Sequence, residues 1–73
     1  MPRFSDHARK QMAKRRITED DVEMALRLTI GDPRPGQPGT IWIRGHAVGG
    51  RILKVCVPMA DQDFVITAAW PDE

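Results

Sequence analysis

Seventy-three residues with 41% hydrophobic content suffice for one hydrophobic core and are too few for two, so the chain is read as a single domain over residues 1–73. The lone cysteine, Cys56, excludes an internal disulfide, and the N-terminus carries no apolar run of signal-peptide or membrane-spanning length; the expected location is the cytoplasm, with no membrane partner. The formal net charge is only +1, yet residues 1 to 17 hold six basic side chains against Asp6 alone, while the remainder holds five basic against nine acidic.

The first predicted element is a helix from Ser5 to Lys14, with Ser5 as N-cap, Asp6 and His7 in the first turn, and Phe4, Ala8 and Met12 as its apolar stripe. A break follows around Arg15 to Ile17. Thr18 with Glu19, Asp20 and Asp21 starts a second helix: the threonine can cap the free amide at Asp21, and three carboxylates suit the positive end of the dipole. Val22, Ala25, Leu26 and Thr29 recur at helical spacing as its core face, and Gly31 with Pro33 is expected to stop it.

Residues 31–39 contain three prolines and three glycines and read as a mobile connecting loop. After it come three strand-like runs, at residues 41–43, 51–57 and 64–70. They are separated by Gly49-Gly50 and by residues 58–63, which suit hairpin turns. The expected fold is therefore α+β, two N-terminal helices packed on a three-stranded antiparallel β-meander in the order α-α-β-β-β.

His7, Gln11 and Arg15 fall at i, i+4 and i+8 on one stripe of the first helix, beside the apolar stripe. A polar group there can be partly desolvated without being orphaned, which makes His7 and Arg15 candidates for a site; local hydrogen bonding at the helix start also explains a histidine in this position. Alternation puts Arg51, Leu53 and Val55 on one strand face and Ile52, Lys54 and Cys56 on the other. Arg51 at the strand entrance is matched to phosphate by the paired donors of its guanidinium, whereas Lys54 reads as a solvated charge or a nucleic-acid contact. In the last run Val65, Thr67 and Ala69 share a face, and Thr67 serves either packing or substrate contact. His46 is a second candidate proton carrier, although the turn residues after it favour a solvated loop-edge histidine, and Trp42 and Trp70 read as core residues that could alternatively stack on bases. His7, His46 and Cys56 lack the close paired spacings of a metal site, and no cofactor motif is present, so neither metal nor cofactor is expected. Arg9, Lys10, Lys14, Arg15 and Arg16 form a basic run that suits either a nucleic-acid backbone, an acidic protein partner or plain solvation.

Residues 4–8 (Phe-Ser-Asp-His-Ala), then Met12, Arg15, Ile17-Thr18, Asp21-Val22 and Leu26, resemble the opening signature of the domain of unknown function 4258 family, and residues 50–55 and 65–68 resemble its later strands. The resemblance implies the compact fold of small bacterial RNase toxins, with RNA as partner and an antitoxin or other protein as a second one. It also implies His7, Arg15, Arg51 and Thr67 as the matching site positions, His7 acting as acid or base, the arginines as phosphate clamps and Thr67 as an orienting hydroxyl. The chain departs from the family pattern at Gln11, where Arg is usual, and at Arg16, where Gly is common, and its sheet is expected to be one strand short of larger relatives. The function expected is a metal-independent ribonuclease with a basic concavity between the first helix and the sheet. The alternative is a non-catalytic toxin-like interaction or regulatory module. A homodimer formed through an exposed strand edge is the expected assembly.

Overall fold

The structure, a computed structural model, describes residues 2–71. Its elements run β1 (Arg3–Phe4), α1 (Asp6–Arg15), α2 (Glu19–Arg27), β2 (Arg34–Pro35), β3 (Thr40–His46), β4 (Ile52–Pro58), β5 (Phe64–Val65) and β6 (Thr67–Ala69).

Both helices begin where their capping residues dictate. The Ser5 hydroxyl accepts from Ala8 N at 2.9 Å and donates to Ile66 O at 2.9 Å, so one side chain caps α1 and fastens it to the sheet. Thr18 and Asp21 form a reciprocal capping box, each side chain accepting the other's main-chain N–H at 3.0 Å. The second carboxylate oxygen of Asp21 accepts from Val48 N at 3.2 Å, tying the start of α2 to the β3–β4 turn; this is how a carboxylate only 8% exposed is satisfied. α1 ends on Arg16, which takes the left-handed conformation (φ 57°) while Ile17 N reaches back to Met12 O at 2.9 Å. α2 ends at Arg27, earlier than the Gly31 and Pro33 signals suggest, because the chain after it is drawn onto the edge of β3. There Ile30 N donates to Arg44 O at 2.7 Å, His46 N donates to Leu28 O at 3.0 Å, and Thr29 bridges Gly45 rather than facing the core from a helix.

Two helices and an antiparallel sheet make the α+β class, but the sheet is not the expected three-stranded meander. It has four antiparallel strands in the order β2-β3-β4-β6, with a separate parallel pair β1-β5. The added strand is Arg34–Pro35 in the Pro/Gly segment, paired to Trp42 and Ile41. The edge of β3 supplies its hydrogen-bonding template, and two residues are short enough for Pro35, which lacks an N–H, to be accommodated at the sheet edge. The last run is also interrupted. Ile66 N turns to Cys56 O at 2.9 Å, and the break separates β5 from β6. As a result Val65 and Thr67 do not share a face: Val65 is fully buried in the core with Ala68, whereas Thr67 stands on the opposite side beside Cys56.

β3 and β4 pair over seven residues, from Thr40↔Pro58 to His46↔Ile52. Their alternation defines two faces. Leu53, Val55 and Val57 point to the helices and meet Ala8, Met12, Val22, Ala25 and Trp70 in the core. The other, open face carries Thr40, Trp42 and Arg44 of β3, Lys54 and Cys56 of β4, and Thr67 and Ala69 of β6; among the described residues no helix packs on it.

Candidate functional site

α1 lies along β6, and three hydrogen bonds fix it there. The Arg15 guanidinium donates to Ala68 O at 2.9 Å, the Trp70 indole N–H donates to Arg15 O at 2.8 Å, and Ser5 holds Ile66 O at the other end. The main-chain edge that β6 would otherwise present is thus covered by helix side chains. This anchoring determines where the candidate residues fall. His7 and Arg15 stand eight residues apart on one helix, about 12 Å at 1.5 Å per residue, so they face different parts of the sheet.

His7, exposed near the start of α1, reaches past the edge of the sheet into a depression on the open face. Gln37, Thr40, Trp42, Cys56, Ile66 and Thr67 line it together with His7, supplied by β3, β4, β6, the break between β5 and β6, and the Pro/Gly segment. His7 and Thr67 are therefore brought together. Arg15 and Arg51 are not part of this depression. Arg15 is engaged with Ala68 and Trp70, and Arg51 stacks over the Trp70 ring with its guanidinium carbon 4.0 Å from the centroid. The four expected positions form two groups, one at each end of the α1–β6 contact.

The basic side chains expected to contact nucleic acid also divide. Arg9 is exposed, pairs with Glu19 at 3.0 Å and lies 5.4 Å from the Phe4 ring centroid. Lys10, Lys14 and Arg16 are exposed on or just beyond α1. Lys54 instead belongs to the open face, half-buried with its ammonium 5.0 Å from the Trp42 ring centroid. A second depression adjoins the first across Trp42, and Arg34, Pro35, Trp42, Arg44, Lys54 and Pro71 line it. The basic concavity expected between helix and sheet thus lies on the opposite side of the sheet.

Trp42 is not the core residue expected from its type: it is half-buried on the open face, while Trp70, at 6% exposure, does belong to the core. Arg34 and Arg44 were not indicated by the sequence reading. Arg44 follows Trp42 by two residues and so must share its face, a signal present in the alternation; Arg34 had no such signal, because its strand is not legible. His46 is exposed at the far end of β3, where its Nδ1 lies 2.9 Å from Gly50 O. Among the described residues no group of three or more histidine, cysteine, aspartate or glutamate side chains could hold a metal ion, and no helix is long and apolar enough to cross a membrane.

The family model described as Domain of unknown function (DUF4258) matches residues 4–70, nearly the whole chain. The chain belongs to this family. No curated protein and no solved structure matches it. The DUF4258 match runs from Phe4, against the start of α1, to Trp70, the residue that clamps its end. It therefore covers every residue lining the first depression, all of those lining the second except Pro71, and the Pro/Gly segment that contributes Arg34 and Gln37 to them.

Proposed function

We propose that this chain acts on RNA, as a metal-independent endoribonuclease of toxin type that holds a single strand across the open face of its sheet. The observation that carries this reading is the meeting of His7 and Thr67 in one depression whose wall is Trp42. Its lining groups are an imidazole, hydroxyls, an amide, an indole, the Cys56 thiol and the Ile66 side chain, and the adjoining depression adds Arg34, Arg44 and Lys54; among the described residues no carboxylate lines either one. Such a set receives phosphates and bases rather than cations.

The reaction the geometry suits uses the substrate's own 2′-hydroxyl. Its oxygen attacks the adjacent phosphorus while His7 accepts its proton, the bond from phosphorus to the 5′-oxygen breaks, and His7 returns the proton to that oxygen. The products are a 2′,3′-cyclic phosphate and a 5′-hydroxyl, so atoms and charge balance without a co-reactant. Thr67, Thr40 and Gln37 supply neutral donors to the phosphorane oxygens. In this reading Arg15 is a positioning residue that fixes β6, and hence Thr67, against α1.

The test is cleavage of a labelled single-stranded RNA in EDTA by wild type, His7→Ala and Thr67→Val. Removal of a general base is expected to lower the rate by about 10²–10⁴-fold, with a smaller loss for Thr67→Val. Equal rates in all three proteins would sink the reading. The second reading, a non-catalytic interaction module, is favoured by one observation: Arg15 and Arg51 are both engaged around Trp70, leaving the His7 depression without an arginine. It predicts RNA binding or protein capture with no cleavage by wild type.

A further inference from the structure

The cross-strand register sets Arg44 directly opposite Lys54 on the open face, and Arg34 opposite Trp42. Like charges placed directly opposite destabilise a sheet, and none of the ion pairs among the described residues involves Arg34, Arg44 or Lys54. The Nε of Arg44 is moreover buried with no hydrogen-bond partner. Buried polar atoms are nearly always satisfied, so the fold itself leaves part of the donor capacity of this guanidinium unused. All three cations line the same depression, which has Trp42 as its inner wall.

From this geometry we infer a phosphate subsite formed by Arg34, Arg44 and Lys54, which holds the phosphodiester of a single-stranded nucleotide whose base stacks on Trp42. Guanidinium groups match phosphate oxygens with paired donors, and an indole accepts any base that is not already stacked in a duplex. The inference rests on the proposed function for the place of this phosphate in the substrate: Trp42 separates the subsite from His7, so the phosphate held there is a neighbour of the scissile one. Anion capture by the three cations does not depend on cleavage.

The probe is a fluorescein-labelled oligodeoxythymidylate of about eight nucleotides, which lacks the 2′-hydroxyl and cannot be cut by the proposed reaction. Its binding is read by anisotropy and by quenching of tryptophan emission over a range of salt concentrations. Wild type is expected to bind with a falling affinity as salt rises. Arg44→Gln and Lys54→Gln should each weaken binding several-fold and reduce the salt slope by about 0.7, the share of one phosphate contact on a single strand. Lys54→Glu sets a carboxylate opposite Arg44; it should melt no lower than wild type and lose binding, which separates loss of the site from loss of the fold. Arg27→Gln, on α2 and ion-paired to Glu23, serves as the comparison. Absence of binding by wild type, or Arg44 and Lys54 variants that bind like Arg27→Gln, would overturn the subsite. If the probe binds as expected while RNA is never cut, the nuclease reading fails and the subsite stands. If RNA is cut and the probe binds equally to all variants, the subsite alone fails.

Discussion

The indole N–H of Trp70 donates to the main-chain carbonyl of Arg15 at 2.8 Å, while the Arg15 side chain donates to Ala68 O at 2.9 Å, two residues before that indole. The exchange locks the last turn of α1 onto β6. An isolated helix of ten residues is marginal in water, so this clamp and the Ser5 anchor at the other end account for much of its placement. Trp70→Phe removes the donor and keeps most of the apolar area, so it should cost about 1 kcal/mol, the typical net worth of one hydrogen bond, since the carbonyl it leaves is only part-buried. Urea unfolding would check this. Arg15→Lys keeps the charge and loses the fork geometry; it should lower the urea midpoint while leaving oligodeoxythymidylate affinity within about twofold. A large affinity loss without destabilisation would return Arg15 to the binding surface.

Arg16 provides the reverse case, a residue held in a conformation that does not suit it. Its φ of 57° carries the left-handed cost of roughly 1–2 kcal/mol for a residue with a Cβ, which glycine does not bear. Glycine's greater entropy when unfolded offsets part of that gain. Arg16→Gly is therefore expected to stabilise by about 0.5–1 kcal/mol and raise the melting temperature by several degrees for a domain of this size. Calorimetry decides it, and a lowered melting temperature would mean that the guanidinium contributes more than the strain removes.

What was legible in the sequence was local. Ser5 caps within three residues, Thr18 and Asp21 within the same span, and the alternation of residues 52–57 names its faces without knowledge of the fold. The unread parts depend on partners distant in the chain. β2 exists because β3 has an edge to offer, and nothing in Arg34–Pro35 itself favours a strand. β1 is two residues that would pass for a helix leader, and only its parallel pairing with β5 reveals it. The run from Phe64 to Trp70 looks like one uninterrupted strand, yet Ile66 breaks it and sends Thr67 to the face opposite Val65. The candidate site inherited these limits: His7 and Thr67 are legible in the sequence and Arg44 follows from alternation with Trp42, whereas Arg34 joins them only through the pairing of β2 with β3.

Asp21 does three things at once. It accepts from Thr18 N at 3.0 Å and Val48 N at 3.2 Å through its carboxylate, and gives its own main-chain N–H to the Thr18 hydroxyl at 3.0 Å. Asp21→Ala deletes both side-chain acceptances, leaving two N–H groups without their partner in a part-buried setting, and should cost about 2–3 kcal/mol. Asp21→Asn keeps one oxygen and should cost less. Comparing the two by chemical denaturation, with amide exchange at Val48 as a local readout, tests whether the turn depends on this carboxylate. Unchanged exchange at Val48 in Asp21→Ala would show that it does not.

Two glycines of the same hairpin, Gly45 within β3 and Gly49 in the turn after it, test different physics. Gly49 has φ 87° and open space around the position of a Cβ, so Gly49→Ala should cost about 1–2 kcal/mol, a backbone penalty alone. Gly45 has no such φ, but a Cβ there would stand 1.9 Å from Ala25 O and 2.8 Å from Ala25 Cα. The clash is with main chain of α2 and cannot be relieved by a rotamer change. Gly45→Ala must push α2 off β3, opening the contact between Ala25 and the sheet, and should cost more than about 3 kcal/mol, a large share of the stability of a small domain. The expected outcome is poor soluble yield or a melting temperature lowered by well over ten degrees, against a modest shift for Gly49→Ala. A Gly45→Ala protein that melts like Gly49→Ala would mean that α2 does not pack on β3 at this closeness, and would undo the assignment of which sheet face is covered and which is open.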